Sequence, residues 1–257
     1  MLRRLIAPNA SPMTLDGTRT YLIGRDRIAI IDPGPDDPEH QQAIAHMVGS
    51  ADAVVVLTHT HPDHAAGAPA LASNLRCSVL AAANSNLRDE QTIDTDDGPL
   101  VALATPGHTP DHVSLYWPSA SAVFCGDLMM GGTETALVAP PEGDLSDYLA
   151  SLERLRRLRP SVIYPAHGPA FERPDEAIDV YVRHRAHREA QILDALGAGP
   201  RSESALLREV YGDALHAGLF DAALGATRAY LEHLAAAGRV RSLAGGEWIR
   251  SGAGEKG

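Results

Sequence analysis

Apolar residues come in short runs through the first two thirds of the chain and in helical spacing after that. Thr20-Tyr21-Leu22-Ile23 and Ile28-Ala29-Ile30-Ile31, bounded by Gly24 and Pro33-Gly34, predict two adjacent strands. Ala53-Val54-Val55-Val56-Leu57 is apolar throughout, as expected of a strand covered on both faces. Residues 78–81, 101–104, 113–116, 122–125 and 162–164 predict further strands. Helices are predicted over 38–48, which opens on Pro38, and over 146–158, where Leu149, Leu152, Leu155 and Leu158 share a face and Pro160 ends the run. Strands interleaved with helices imply a layered α/β body.

After Pro174 the pattern turns helical. Residues 175–196 form a long amphipathic stretch, broken by Gly197-Ala198-Gly199-Pro200. Helices over 202–210 and 221–237 follow, then a hairpin from 239–243 through Gly245-Gly246 to Glu247-Trp248-Ile249. That order is the order of a winged helix. It divides the chain into a catalytic domain, 1–174, and a linker helix with a winged-helix domain, 175–257. Leu224, Leu231, Leu234 and Trp248 are spaced to build a small core there.

Composition narrows the classes. The 257 residues are 44% hydrophobic, enough for one large domain or a medium and a small one. No apolar run reaches bilayer length. Arg3-Arg4 is followed by Pro8, Asn9 and Pro12 rather than a signal-peptide core, so a cytoplasmic protein is expected. Two isolated cysteines, Cys77 and Cys125, do not form a disulfide framework, and Cys125 between Phe124 and Gly126 reads as a buried strand end. Net charge is −11 and uneven: residues 1–182 hold 12 Arg against 24 Asp and Glu, residues 183–257 hold 10 Lys and Arg against 9. An acidic body without a lysine, the chain's one lysine being Lys256, carries no electrostatic footprint for duplex DNA.

The chemistry concentrates in Thr58-His59-Thr60-His61-Pro62-Asp63-His64, directly after the buried strand ending at Leu57. In extended backbone His59 and His61 project the same way. Three more ligand-type residues stand in loops marked by Gly or Pro: His108 after Pro106-Gly107, Asp127 after Cys125-Gly126, and His167 before Gly168-Pro169. Imidazoles suit zinc, and a carboxylate can bridge two ions. His40, His46, His184, His187, His216 and His233 lack such a setting and are left without a role.

The series His-x-His-x-Asp-His, Gly-His, Gly-Asp and a late His resembles the metallo-β-lactamase superfamily over about residues 10–172. The resemblance implies a four-layer αββα sandwich and two divalent ions, zinc first, with iron or manganese as alternatives. It implies that His59, His61 and His108 hold one ion, that Asp63, His64 and His167 hold the other, and that Asp127 bridges. Asp63 would also orient the attacking water. Asp32, in Ile31-Asp32-Pro33-Gly34, and His112 would support the ligands from behind. Residues 9–22 and the C-terminal module resemble the branch called β-lactamase-like protein 2, with Arg19 where that branch usually carries Asn. The implied activity is hydrolysis of an ester, thioester, lactone or phosphodiester by a water ionised between two metals. Rivals are a glyoxalase II-type hydroxyacylglutathione thioesterase, a single-strand endoribonuclease, and a nucleic-acid-binding regulator reading through the winged helix. The expected partners are a small molecule or single-stranded RNA, with neither a membrane nor duplex DNA, and a homodimer is compatible with this module.

Overall fold

The computed structural model describes residues 1–133, 135–212, 215 and 217–252; His216 and Lys256 lie outside the described residues. One sheet runs β1 (Leu2–Ile6), β2 (Arg19–Ile23), β3 (Arg27–Ile31), β4 (Asp52–Val56), β5 (Ser78–Leu80), in that order. The second holds β6 (Thr92–Ile93), β7 (Leu100–Ala104), β8 (Val113–Trp117), β9 (Ala122–Gly126) and β10 (Val162–Pro165), in the order β10-β9-β8-β7-β6. The pairs β3/β4, β4/β5 and β9/β10 are parallel and the others antiparallel.

Alternation along the strands sorts side chains into layers. Tyr21, Ile31 and Val56 face inward and meet Leu115 and Phe124 of the second sheet. Their neighbours Leu22, Ile30 and Val55 face outward, onto Ile44 and Leu71. Those two residues belong to α1 (Pro38–Val48) and α3 (Ala68–Leu75), separated by the one-turn helix α2 (Pro62–Ala65). Leu103, Val123 and Ile163 cover the far side of the second sheet under α4 (Leu145–Arg157) and α5 (Pro174–Gly197), through Leu152 and Tyr181. The result is helix, sheet, sheet, helix. Caps fix helix starts: Asp37 accepts from the His40 N–H at 2.8 Å and Asp144 from the Asp147 N–H at 2.9 Å.

Beyond α5 come β11 (Arg201–Ser202), α6 (Glu203–Tyr211), α7 (Phe220–Ala236), β12 (Val240–Ser242) and β13 (Glu247–Arg250), with the strands ordered β11-β13-β12. The expected small core is not separate. Leu231 and Leu234 join the same apolar cluster as Leu152 and Tyr181, Trp248 packs against that cluster, and Leu224 is only half-buried. Each fully buried leucine contributes roughly 1.5–3 kcal/mol to that shared core. Among the described residues no helix is long and apolar enough to cross a membrane.

Candidate metal centre

All seven residues singled out from the sequence converge at one edge of the sandwich. The turn after β4 supplies His59, His61, Asp63 and His64; the β7–β8 connection supplies His108; the ends of β9 and β10 deliver Asp127 and His167. Strand ends in a packed sheet hold loops rigidly, so donors from separate chain segments can meet. Gly126 makes the approach possible. Its φ is +51°, and a Cβ there would lie 2.6 Å from His112 Nε2 and 2.8 Å from Thr58 Cβ.

The donors form three interlocking groups: His59, His61 and His108; His59, His64 and Asp127; Asp63, His64 and His167. Within each, the ligand atoms lie within 4.8 Å of one another. Asp127 spans them: Oδ1 is 3.4 Å from His64 Nε2 and 3.3 Å from His167 Nε2, while Oδ2 is 3.7 Å from His108 Nε2.

Hydrogen bonds behind the imidazoles decide which nitrogen faces the centre. Thr58 Oγ1 donates to Asp32 Oδ2 at 2.7 Å, so the His59 Nδ1–H, 3.1 Å away, donates to Thr58 and leaves Nε2 free. His64 Nδ1–H donates to Asp32 Oδ2 at 2.9 Å, and His108 Nδ1–H to the Leu137 carbonyl at 2.7 Å. His61 contacts Glu142 Oε2 through Nε2 at 3.0 Å, which turns Nδ1 inward. His61 Nδ1 and His108 Nε2 then face each other at 3.1 Å, and His64 Nε2 and His167 Nε2 at 3.2 Å. Facing lone pairs at such distances need a cation or proton between them. His59 Nε2 and Asp127 Oδ1 are buried without a hydrogen-bond partner among the described residues, a costly state for polar atoms. Both belong to the cluster of ligand-type atoms, so the donor set fits divalent metal.

Electrostatics divides the histidines. Burial and the charge of His64 hold His59 well below the usual histidine range, and burial lowers His108. Burial opposes charge on His64, but Asp127 and Asp32 outweigh it and raise it well above 6.5. His167 is raised to about 9: burial again opposes, and Asp127 and Asp63 prevail. Asp63 and Asp127 are held below the carboxylate range against their burial, Asp63 by its contacts with His167 and His64, Asp127 by the charge of His64 and its contact with His167. His61 and Asp63, at 32% and 29% side-chain exposure, form the open side.

Asp32 and His112 stand behind this set. Asp32 links Thr58 and His64. Burial pushes His112 down to about 3, so it is neutral. Its Nδ1–H donates to Thr105 Oγ1 at 2.9 Å and its Nε2 accepts the Asp127 backbone N–H at 3.2 Å. It therefore holds the Asp127 backbone, not its carboxylate. Thr58, Glu142 and the Leu137 carbonyl were missed from sequence. Thr58 adjoins the histidine motif, whereas Glu142 and Leu137 carry no local signal.

Residues 13–88 and 83–167 match the model of the metallo-beta-lactamase superfamily, and the chain belongs to that superfamily of hydrolases. Within it the chain is similar to the beta-lactamase-like protein 2 homolog of Caenorhabditis elegans, 33% identical over 211 residues, 75% of this chain and 70% of that protein. It is likewise 33% identical over 236 residues to the atrochrysone carboxyl ACP thioesterase of Passalora fulva, 83% of this chain and 69% of that one. A metallo-beta-lactamase family protein from Thermus thermophilus superposes with a TM-score of 0.81 at 20% identity, covering 97% of this chain and 98% of its own. A second solved structure, TTHA1623 in a di-iron-bound form, gives 0.55 at 26% identity, covering 66% and 93%.

Proposed function

We propose that this protein is a dinuclear metal-dependent hydrolase acting at the carbonyl of an acyl thioester or ester. The observation that carries the reading is the pair of buried ligand-type atoms that make no hydrogen bond among the described residues, His59 Nε2 and Asp127 Oδ1, inside a ring of five further ligand-type side chains. His59, His61 and His108 would hold one ion, Asp63, His64 and His167 the other, with Asp127 between. Zinc suits this imidazole-rich set, and iron remains an alternative because a structural neighbour is known in a di-iron form. Two ions there would lower the pKa of a water toward neutrality and polarise a carbonyl oxygen.

The side chains do the rest. Asp63, on the open side, accepts a hydrogen bond from the attacking water and orients it. Asp32 fixes the tautomer of His64, Thr58 that of His59, and His112 holds the backbone of Asp127 in place. A neutral carbonyl is favoured over a phosphodiester because carboxylates flank the site: the exposed Glu142 on His61, and the half-buried Asp111 accepting from Thr60. Arg19, the nearby cation, is held bidentate by Asp16 at 2.7–2.8 Å. The relative named as an ACP thioesterase supports the same choice.

We read residues 175–257 as a linker helix and winged helix, from the order helix, strand, helix, helix, strand, strand. Arg228 of α7 is bound to Glu203 at 2.7 Å, which leaves little on that helix for a DNA groove. The free thiols Cys77 and Cys125 keep a cytoplasmic location within the same reading. The test is a panel of acyl thioesters, esters, lactones, phosphodiesters and single-stranded RNA offered to metal-loaded protein. Thioester turnover is expected; RNA cleavage without thioester turnover replaces this reading with the endoribonuclease.

A further inference from the structure

A cavity of about 290 Å³ lies between the segments 12–15 and 130–137 of the catalytic body and helices α5 and α7. No candidate metal ligand lines it. Its walls are apolar, with Leu15, Met130, Leu137, Leu219, Ala223 and Ala226 among them, and Met13 stands exposed at its rim. Two guanidinium groups also line it, those of Arg185 and Arg188.

Among the described residues their hydrogen-bond partners are neutral. Arg185 is 4% exposed; it donates to the Ala136 carbonyl at 2.5 Å and the Tyr230 hydroxyl at 3.5 Å, and its Cζ lies 4.7 Å over the Tyr148 ring. Arg188 donates to Gln191 Oε1 at 2.9 Å and the Val210 carbonyl at 2.7 Å, and its Cζ lies 4.1 Å over the Tyr211 ring. Among the described residues, both Nε atoms are buried without a hydrogen-bond partner, and no carboxylate pairs with either arginine. Carbonyls and ring faces orient a guanidinium but do not neutralise it, and in a low-dielectric pocket the remaining charge attracts an anion strongly.

We propose that this cavity binds an amphiphilic carboxylate: an acid whose apolar body fills the Leu- and Ala-lined space and whose carboxylate meets Arg185 and Arg188. The inference stands on the cavity and its arginines and does not depend on the hydrolase reading. The cavity shares one wall with the metal centre, since Leu137 lines it with its side chain while its carbonyl orients His108.

Calorimetry on the metal-loaded full chain tests this with decanoate and 1-decanol as probes. Decanoate is expected to bind one per chain, and decanol at least roughly tenfold more weakly, as loss of a charge-assisted hydrogen bond dictates. Arg188→Gln is expected to weaken decanoate by a similar factor, and Ala226→Trp, which fills the cavity, to abolish binding; circular dichroism and metal content confirm that each variant is folded. The proposal is overturned if neither probe binds, if the two bind equally, or if Arg188→Gln leaves decanoate affinity unchanged. Decanoate binding that survives Ala226→Trp and disappears on chelation overturns it too, because the acid then sits on the metals.

Discussion

Metal binding should expel protons from this site, and the amount can be worked from its charges. Asp32, Asp63 and Asp127 surround His64 and His167, and in the metal-free protein the two imidazoles supply the compensating charge. With a pKa of about 9, His167 is about 99% protonated at pH 7. His64 is raised in the same direction. An ion can take either Nε2 only after its proton leaves, so the imidazoles should release about one to two protons per chain on loading at pH 7, beside up to about one from a metal-bound water. For His167 alone the deprotonated fraction rises roughly fiftyfold from pH 7 to 9, and apparent affinity should rise with it. Calorimetric titration of zinc in buffers of different ionisation enthalpy counts the protons, and competition with a fluorescent chelator gives the affinity. The metal-free protein should show the opposite trend. The folded pKa of His167 exceeds the ordinary 6.5, so its stabilisation is complete below that value and is lost as pH rises through about 9. Zinc binding that releases no more than the one proton of a metal-bound water, with a flat affinity from pH 7 to 9, would refute the reasoning, by showing that both imidazoles are neutral beforehand.

Other outcomes follow from single contacts. Asp127→Asn removes the charge facing both halves of the cluster; metal content by elemental analysis should drop below two per chain and hydrolysis should fall by orders of magnitude, while circular dichroism stays unchanged. Gly126→Ala puts a Cβ against His112 and Thr58 at a strained φ, and should cost about 1–3 kcal/mol by denaturant titration and shift Asp127 enough to lower metal affinity. Gly225→Val pushes α7 off Ala139, so zinc affinity should weaken with little change in helix content. Deleting 198–257 strips Leu231 and Leu234 from the core shared with Leu152 and Tyr181; the truncated chain should aggregate or melt far below the whole one in a thermal scan.

The cluster of candidate ligands was legible because its chemistry is local: four donors stand within six residues, and the other three each follow or precede a glycine that lets the backbone reach the cluster. The central strands were legible because β3 and β4 are apolar on both faces. Short elements were not. β6 and β11 have two residues each, too few for a period, and α3 lies in Ala68–Leu75, where alanines leave no clear stripe. That the C-terminal apolar positions share a core with α4 and α5 was hidden for another reason. Spacing along α7 shows which residues are apolar together, but not that they pack on Leu152 of α4 and Tyr181 of α5.

What sequence could not reveal is the segment that ties these parts together. Ala136 takes a hydrogen bond from Arg185 of α5, and Leu137 takes one from His108. Ala139 abuts α7 so closely that a Cβ on Gly225 would lie 2.8 Å from its own Cβ. Glu142 then contacts His61. Between residues 136 and 142 one strap thus orients two candidate ligands of the same ion with groups anchored by the C-terminal helices. No residue in Ala136-Leu137-Val138-Ala139-Pro140-Pro141-Glu142 belongs to a ligand motif; two of the four contacts are made by backbone carbonyls, which any residue type supplies. The C-terminal helices therefore bear on the candidate metal centre through backbone geometry. In that arrangement the seven ligands alone do not define the site: its precision depends on α5 and α7 holding the strap, and through it His61 and His108, in register with Asp127.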